Sequence, residues 1–245
     1  MRKLTYLFVV LATIGVMGAC KKDPVTKPVK FTSTDYQTLG SYDASGKPKD
    51  LETPDVIPAE MLSFIQSTLP SGKDLRITHP ELLTTKAIAD ITITQPSDLF
   101  MTFVSQGAGY PNALAYYTYP TSAPPASAKD IKTITYIFPN AGGYTTLKPG
   151  DKVKLGRFDV GTSIGFVLMK GAWNQNTKTL DNNSVHFCSN DVLNPEVDPN
   201  LKKHAVLVNY AQENKVLIGF EDMDRTDPGC DHDFNDVVTY VTITH

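Results

Sequence analysis

The stretch that decides the fold is "KVLIGFEDMDRTDPGCDHDFNDVVTYVTIT", residues 215–244. Two apolar, β-prone runs, "VLIGF" and "VVTYVTI", flank an acidic segment, and this arrangement predicts a hairpin of two strands. From Glu221 to Asp236 there are seven carboxylates, and only Arg225 offsets them with a fixed positive charge. The turn of this hairpin must therefore hold a large amount of like charge.

Similar β-prone runs recur upstream of the hairpin, separated by clusters of Gly, Pro and Asn. In "DKVKLGRF", for example, Val153, Leu155 and Phe158 are interspersed with charged neighbours. About ten short strands without intervening helices predict an all-β fold, an antiparallel β-sandwich or jelly roll. The upstream strand candidates are residues 87–94, 99–105, 113–119, 131–138, 151–158, 163–170, 184–188 and 204–210.

One helix is predicted before the strands, in "PAEMLSFIQSTLPSG", residues 58–72. Pro58 suits the first turn of a helix, and "LPSG" ends the pattern. The apolar residues at spacings of three and four are Met61, Leu62, Ile65 and Leu69. We expect residues 55–84 to form a helical and irregular segment and residues 85–245 to form the β-sandwich.

The N-terminal residues have the pattern of an export signal. Arg2 and Lys3 precede an apolar run that is too short to span a bilayer. "MGAC" resembles the lipobox of bacterial lipoproteins, which implies that residues 1–19 are removed and that Cys20 carries a lipid; the alternative is an ordinary signal peptide. Residues 20–54 lack apolar periodicity, so we expect a flexible, lipid-anchored spacer.

Composition and motifs favour a binding protein over an enzyme. The net charge is −3 without a basic cluster, which argues against a nucleic-acid partner. The sequence contains no nucleophile elbow, HExxH motif or phosphate-binding loop, and the acids are crowded together instead of flanking a cleft. We therefore expect no enzymatic activity.

The acidic turn has the pattern of a cation site. Asp231, Asp233 and Asn235 alternate, and alternate side chains of an extended segment project to one side. The hairpin would bring them opposite the acids at the ends of its two strands. Calcium takes six to eight oxygen ligands, so we predict that it binds here. The predicted metal ligands are Glu221, Asp222, Asp231, Asp233, Asn235 and Asp236.

Other interpretations of the turn fit less well. It is not an EF-hand, because the sixth position from Asp231 is Asp236 and the twelfth is Thr242. Zinc would find one imidazole and one thiol, and magnesium prefers few protein ligands and many waters. A solvated acidic loop is the remaining alternative, but Phe220 and Phe234 suggest a loop pinned to the core.

Two further groups of residues are candidates for defined roles. Cys188 and Cys230 are an even pair in an exported protein, which predicts a disulfide, with two separate buried thiols as the alternative. A second set could contact a ligand, although ordinary turn residues and strand packing would give the same pattern. These candidate ligand contacts are Asn190, Asp191, Asn194 and Trp173.

Four segments, taken in order, resemble the LruC-domain family of Bacteroidetes-type lipoproteins. They are "LPSGKDLRITHPELL", "MTFVSQGAGYPNALAYYTY", "FPNAGGYTTLKPGDKVKLGRFDVGTSIGFVL" and "GFEDMDRTDPGCDHDFNDVV". The C-terminal part resembles a domain of unknown function shared with secreted bacterial adhesins. The resemblance implies a calcium-binding β-sandwich at the cell surface or outer membrane, without an established enzymatic activity. The family pattern usually lacks both cysteines, which favours their pairing here.

Together these features predict a lipid-anchored, exported, calcium-binding β-sandwich that acts as a surface adhesion or ligand-binding module. The expected partners are the bacterial outer membrane, through the lipid, and a glycan or surface protein, on either the external or the periplasmic face. The alternative is a structural surface or matrix protein in which calcium only stabilises the fold.

Overall fold

The computed structural model describes residues 29–84 and 90–245. The predicted signal peptide and the lipidation site at Cys20 lie outside these residues, as does the beginning of the strand predicted at 87–94. Among the helices of the described residues, none has the length and apolar character needed to cross a membrane.

The first of two large sheets has six strands. Five are hydrogen-bonded in one path, and a short sixth strand pairs with the fourth strand of that path. In spatial order the path is β1 (Asp35–Thr38), β5 (Thr133–Phe138), β4 (Ala113–Pro120), β7 (Thr162–Met169) and β10 (His186–Cys188), and β2 (Ile91–Thr92) is the strand beside β7. All of these pairs are antiparallel except the parallel pair of β1 and β5.

The second sheet has five strands, all antiparallel to their neighbours. Its order is β11 (Ala205–Tyr210), β12 (Lys215–Phe220), β13 (Val237–Thr244), β3 (Ser97–Ser105) and β6 (Lys152–Phe158). A separate small hairpin joins β8 (Trp173–Asn174) to β9 (Thr179–Leu180). The predicted all-β sandwich is confirmed.

The main core lies between the two sheets. Phe166 and Leu168 of β7 belong to one buried cluster with Ile218 and Phe220 of β12. Val153 of β6 joins the same cluster, because alternate residues of a strand point to one face. Burial of these side chains against each other fixes the register of the strands, since a slip of one residue would expose them.

The outer face of the second sheet is covered by two helices, α1 (Ala59–Thr68) and α2 (Leu75–Thr78). Met61 and Ile65 of α1 pack in a cluster with Leu217 and Tyr240 of the sheet. The helix predicted in residues 58–72 is confirmed, but Leu62 is 40% exposed and lies off its buried stripe. Short 3-10 turns occur at Pro80–Leu83, Ala128–Asp130, Asp191–Leu193, Pro199–Leu201 and Ala211–Glu213.

The flexible spacer predicted at 20–54 is wrong for residues 29–54, which pack on the sandwich. β1 adds to the first sheet, from Asp35 opposite Thr133 to Thr38 opposite Tyr136. Phe31 is buried and stacks on His186 with 4.3 Å between ring centroids. Backbone hydrogen bonds at a sheet edge hold this segment, so it forms without the apolar periodicity that we looked for.

The predicted disulfide does not form in this structure, where Cys188 and Cys230 are both free and buried. Cys188 lies on β10, opposite Val167, in the apolar cluster on the outer face of the first sheet. Cys230 lies in the acidic loop, with its Sγ 3.3 Å from His232 Nδ1. The two thiols face different surroundings, and each has its own neighbours.

Candidate metal centre

The acidic segment is a loop that closes the hairpin of β12 and β13. Phe220 is the last residue of β12 and lies opposite Val237, the first residue of β13, so residues 221–236 connect the strand ends. The Asp236 backbone N–H donates to the Phe220 carbonyl at 3.0 Å. This pairing places Glu221 and Asp236 beside each other, as the hairpin predicted.

Five carboxylates of the loop converge in two groups that share one residue. In each group, one oxygen from every member lies within 4.8 Å of the others. The first group is Glu221, Asp231 and Asp233, and the second is Glu221, Asp222 and Asp236. These clustered acids could hold a metal ion, and Glu221 lies where the two groups meet.

The backbone of the loop alternates between ordinary and left-handed conformations. His232 and Phe234 both have φ near +57°, which side chains with a Cβ adopt at a cost on the order of 1–2 kcal/mol each. Their side chains are buried, and Phe234 packs fully enclosed in the cluster beneath α1 and α2. This burial offsets the backbone cost, so the loop is pinned to the core while Asp231 and Asp233 face the acidic groups.

Arg225 holds the loop in place through contacts other than salt bridges with its acids. Its buried guanidinium donates from Nη1 to the Lys203 carbonyl at 2.9 Å and from Nε to His232 Nδ1 at 3.2 Å. Its Cζ also lies 5.1 Å from the centre of the Phe234 ring. Burial, followed by the charges of Arg225 and Arg76, lowers the pKa of His232 to about 4, so the ring is neutral and can accept this hydrogen bond.

The second group of acids, which contains Glu221, Asp222 and Asp236, accepts hydrogen bonds from the loop and from a neighbouring turn. Asn112 Nδ2 donates to Asp222 Oδ2 at 2.6 Å, and the Asp222 N–H donates to Asp236 Oδ2 at 2.7 Å. Glu221 Oε1 accepts from the Met223 N–H at 3.2 Å. Glu221 is only 1% exposed, and its buried Oε2 has no hydrogen-bond partner within the described residues.

Asp233 is positioned by the turn that follows α1. Its Oδ2 accepts from the Gly72 N–H at 2.7 Å and from Asn235 Nδ2 at 2.7 Å. The Asn235 N–H donates to Oδ1 of Asp233 at 3.0 Å. Asn235 therefore supports Asp233, and its own Oδ1 packs against Gly107, where a Cβ would approach to 2.6 Å.

Burial and mutual repulsion disfavour full ionisation of the cluster. Burial is the largest cause of the raised pKa values of Glu221 and Asp222. The pKa of Asp236 rises from 3.8 to about 9, through burial first and then the charges of Asp222 and Glu221. Among the described residues, no Lys or Arg forms a salt bridge with any of the five acids. A bound cation would supply the missing positive charge.

Two residues that support the site are absent from the sequence-based prediction. Gly72 lies in "LPSG", read as the end of a helix, and Asn112 lies in "GAGYPN", between the predicted strands at 99–105 and 113–119. Both segments have the composition of a turn. Only tertiary packing brings the Gly72 N–H to Asp233 and the Asn112 side-chain amide to Asp222, each more than a hundred residues away in sequence.

The candidate ligand contacts outside the loop have internal partners. Asn194 is buried and accepts from the Cys188 N–H through Oδ1 at 2.6 Å, and Trp173 is buried in an edge-to-face contact with Tyr42. Asn190 caps a 3-10 turn, and Asp191 pairs with Lys203 at 3.1 Å. Ordinary turn and core packing, the alternative considered above, describes these contacts.

Comparison with known proteins gives a family match to a region that includes the loop. No curated protein and no solved structure gives a significant match to the chain. The wider resemblance to the LruC-domain family stays a prediction. Residues 158–244, from the end of β6 through β13, match the model of a family described as Domain of unknown function (DUF4114).

Proposed function

We propose that this protein is an exported, lipid-anchored, calcium-binding β-sandwich that acts as a surface adhesion or ligand-binding module. One observation carries the proposal. Five carboxylates converge around Glu221, whose buried Oε2 has no hydrogen-bond partner in the described part of the chain. Such a group is costly unless a cation or a proton satisfies it.

The donor set favours calcium over other metals. All five converging side chains are carboxylates, which are the hard ligands that calcium prefers. Zinc would need nitrogen or sulfur ligands, but Nδ1 of His232 already accepts from Arg225. Magnesium usually keeps several waters and only one or two carboxylates. Binding, and not catalysis, is the proposed role, because the acids crowd around one point.

Thermal unfolding of the full-length protein tests calcium binding. Calcium modules outside the cell bind at roughly 0.1–1 mM, and a ligand at about 100 times its Kd stabilises a fold by about 2.7 kcal/mol. At about 2–4 °C per kcal/mol, the unfolding midpoint should rise by roughly 5–10 °C with calcium and fall again with chelator. Magnesium at equal concentration should have a much smaller effect.

Matched variants identify the loop as the site. Asp231→Ala and Asp233→Ala should each remove a large part of the calcium-dependent shift. Asp227→Asn is the control, because Asp227 is exposed in the same loop. The Gly229 N–H donates to Asp227 Oδ1 at 2.8 Å, and an Asn at this position can still accept that hydrogen bond. If neither calcium nor chelator changes the midpoint of thermal unfolding, and calorimetry detects no binding, the loop is only a solvated acidic segment and the proposal is wrong.

A purely structural role for calcium is the second candidate, favoured by the attachment of the loop to the helices. The Gly72 N–H donates to Asp233, and the Leu75 N–H donates to the His232 carbonyl at 3.0 Å. A cation in the loop would thereby stiffen the packing of α1 and α2. A glycan array probed with and without calcium separates the candidates: calcium-dependent capture supports recognition, and stabilisation without capture supports the structural role.

The proposed anchor rests on the lipobox pattern and on the resemblance to the LruC-domain family of lipoproteins. Cys20→Ala should move the protein from the membrane fraction to the soluble fraction. A Cys20→Ala protein that still sediments with membranes would remove lipidation from the proposal and leave calcium binding untouched.

A further inference from the structure

We infer that the acidic loop holds two cations and that Glu221 is the carboxylate that bridges them. This inference rests on the proposed calcium-binding function and specifies the stoichiometry and layout of the same site. An outer ion would be bound by Glu221, Asp231 and Asp233, and an inner ion by Glu221, Asp222 and Asp236.

The grouping of the acids is the first argument. Ligands of one calcium ion lie about 2.3–2.6 Å from it, so oxygen atoms bound to the same ion are within about 5 Å of each other. Each of the two groups satisfies this limit, with its oxygens within 4.8 Å, and the groups join only through Glu221. The arrangement offers two three-carboxylate sites that share one side chain.

The state of Glu221 is the second and independent argument. The residue is 1% exposed, and its Oε2 has no hydrogen-bond partner within the described residues. Its Oε1 accepts one bond, from the Met223 N–H at 3.2 Å. A carboxylate has about four acceptor positions. The Glu221 side chain also interacts with Asp236 and Cys230, and the acceptor positions of Oε2 are open beside the acids of the cluster.

Charge balance favours two ions over one. The five acids carry −5 when ionised, so one divalent cation leaves −3 and two leave −1. Arg225 adds one positive charge close enough to interact with Glu221, although it forms no salt bridge with the five acids. With this charge included, one divalent cation leaves −2 and two leave zero. Uncompensated charge in a buried cluster is strongly unfavourable, and a second cation removes most of it.

The two sites differ in their access to solvent. Asp231 is exposed, whereas Asp222 is buried and bonded to Asn112. The outer ion therefore has solvent-facing positions for water or for the hydroxyl groups of a ligand. The inner ion would lie between two buried acids and Asp236, which is partly exposed. We expect the outer ion to exchange faster and to bind more weakly.

Calcium stoichiometry tests the inference directly. Metal-stripped full-length protein is titrated with calcium chloride by calorimetry, and bound calcium is counted by native mass spectrometry. We expect two calcium ions per chain. Asp231→Asn and Asp236→Asn should each retain one ion, Glu221→Gln should weaken both by at least tenfold, and the control Asp227→Asn should retain two.

The outcomes separate this inference from the function on which it rests. One ion in the wild-type chain overturns the two-ion site and leaves calcium binding intact, whereas no ion overturns both. Two ions of which neither is weakened in Glu221→Gln overturn the bridging role. Circular dichroism in chelator shows whether each variant folds, and the wild-type count decides the stoichiometry even where a variant does not.

Discussion

Asp55 and the acidic loop show two ways to place carboxylates against the same sheet. The Asp55 carboxylate accepts hydrogen bonds from Lys152 Nζ at 2.5 Å, Thr102 Oγ1 at 2.8 Å and the Tyr240 hydroxyl at 2.9 Å. Burial raises its pKa, but these hydrogen bonds and the charge of Lys152 outweigh burial, so the pKa lies below the usual value. The acids of the loop show the opposite shift, because no salt bridge with the described residues offsets their burial.

At Asp55 the fold supplies its own cation, whereas the loop acids form no salt bridge among the described residues. The proposed role of a cation from solution is to neutralise the loop acids. Lys152 of β6 reaches Asp55 from a neighbouring strand. The loop also contains a cation, Arg225, but its guanidinium donates to the Lys203 carbonyl and lies against the Phe234 ring. The two regions should therefore respond differently to calcium, pH and mutation.

The largest expected effect on stability comes from detaching the acidic loop from the core. Phe234→Ala removes a fully buried ring from the cluster beneath the helices and should lower the free energy of unfolding by about 3–5 kcal/mol in chelator. Calcium affinity should also fall, because Asp233 loses its fixed position. Denaturant unfolding and calorimetry measure both effects. Val160→Ala, at a residue 61% exposed, is the control, and an equal response of the two variants would contradict a pinned loop.

A smaller effect is expected at Asp55, and it should be independent of calcium. Asp55→Asn removes the charge that pairs with Lys152 and leaves its three donors with a single acceptor. The cost should be about 1–2 kcal/mol, at the lower end for a charged hydrogen-bond network because the side chain is 20% exposed. Denaturant curves with and without calcium measure it. A loss that appears only in one of the two conditions would mean that the regions are coupled.

The pH dependence of stability should separate the two regions further. The pKa of Asp236 is raised from 3.8 to about 9, so in chelator the folded state binds more protons than the unfolded chain between these values. Stability should then fall from pH 7 to pH 9, by at most about 1.4 kcal/mol per pH unit for one proton. The proposed calcium ions would bind the ionised acids, so the stabilisation by calcium should grow over the same interval.

Unfolding midpoints measured at each pH, with and without calcium, check this expectation. Asp236→Asn removes the titrating group and should flatten the fall seen in chelator. A wild-type midpoint that rises with pH in chelator would show that the loop acids are ionised without a metal.

The smallest expected effect concerns the thiols. Burial raises the pKa values of Cys188 and Cys230 well above the usual range, so both should react slowly with an alkylating reagent in the folded protein. Reductant should leave the unfolding midpoint unchanged, in contrast to calcium. Mass spectrometry of the non-reduced protein should find two free thiols, and a bridged peptide would contradict this structure.

Local sequence patterns are sufficient to predict the strands and the position of the acidic loop. Alternation of residues such as Val153 and Leu155, and the buried run before Glu221, predict strands because burial on one face of a sheet imposes a period of two. The spacing of Met61, Ile65 and Leu69 predicts α1 in the same way. These signals are local, so they can be read without knowing the partners of each segment.

Tertiary structure alone decided what these segments touch. Residues 35–38 join a sheet through backbone hydrogen bonds, which leave no trace in side-chain periodicity. Cys188 and Cys230 stay apart because the fold assigns them to different clusters. The donors from Gly72 and Asn112 and the shared position of Glu221 depend on segments that meet only after the sheets pack. Sequence spacing determines which side chains share a face, and long-range packing determines which atoms come within bonding distance.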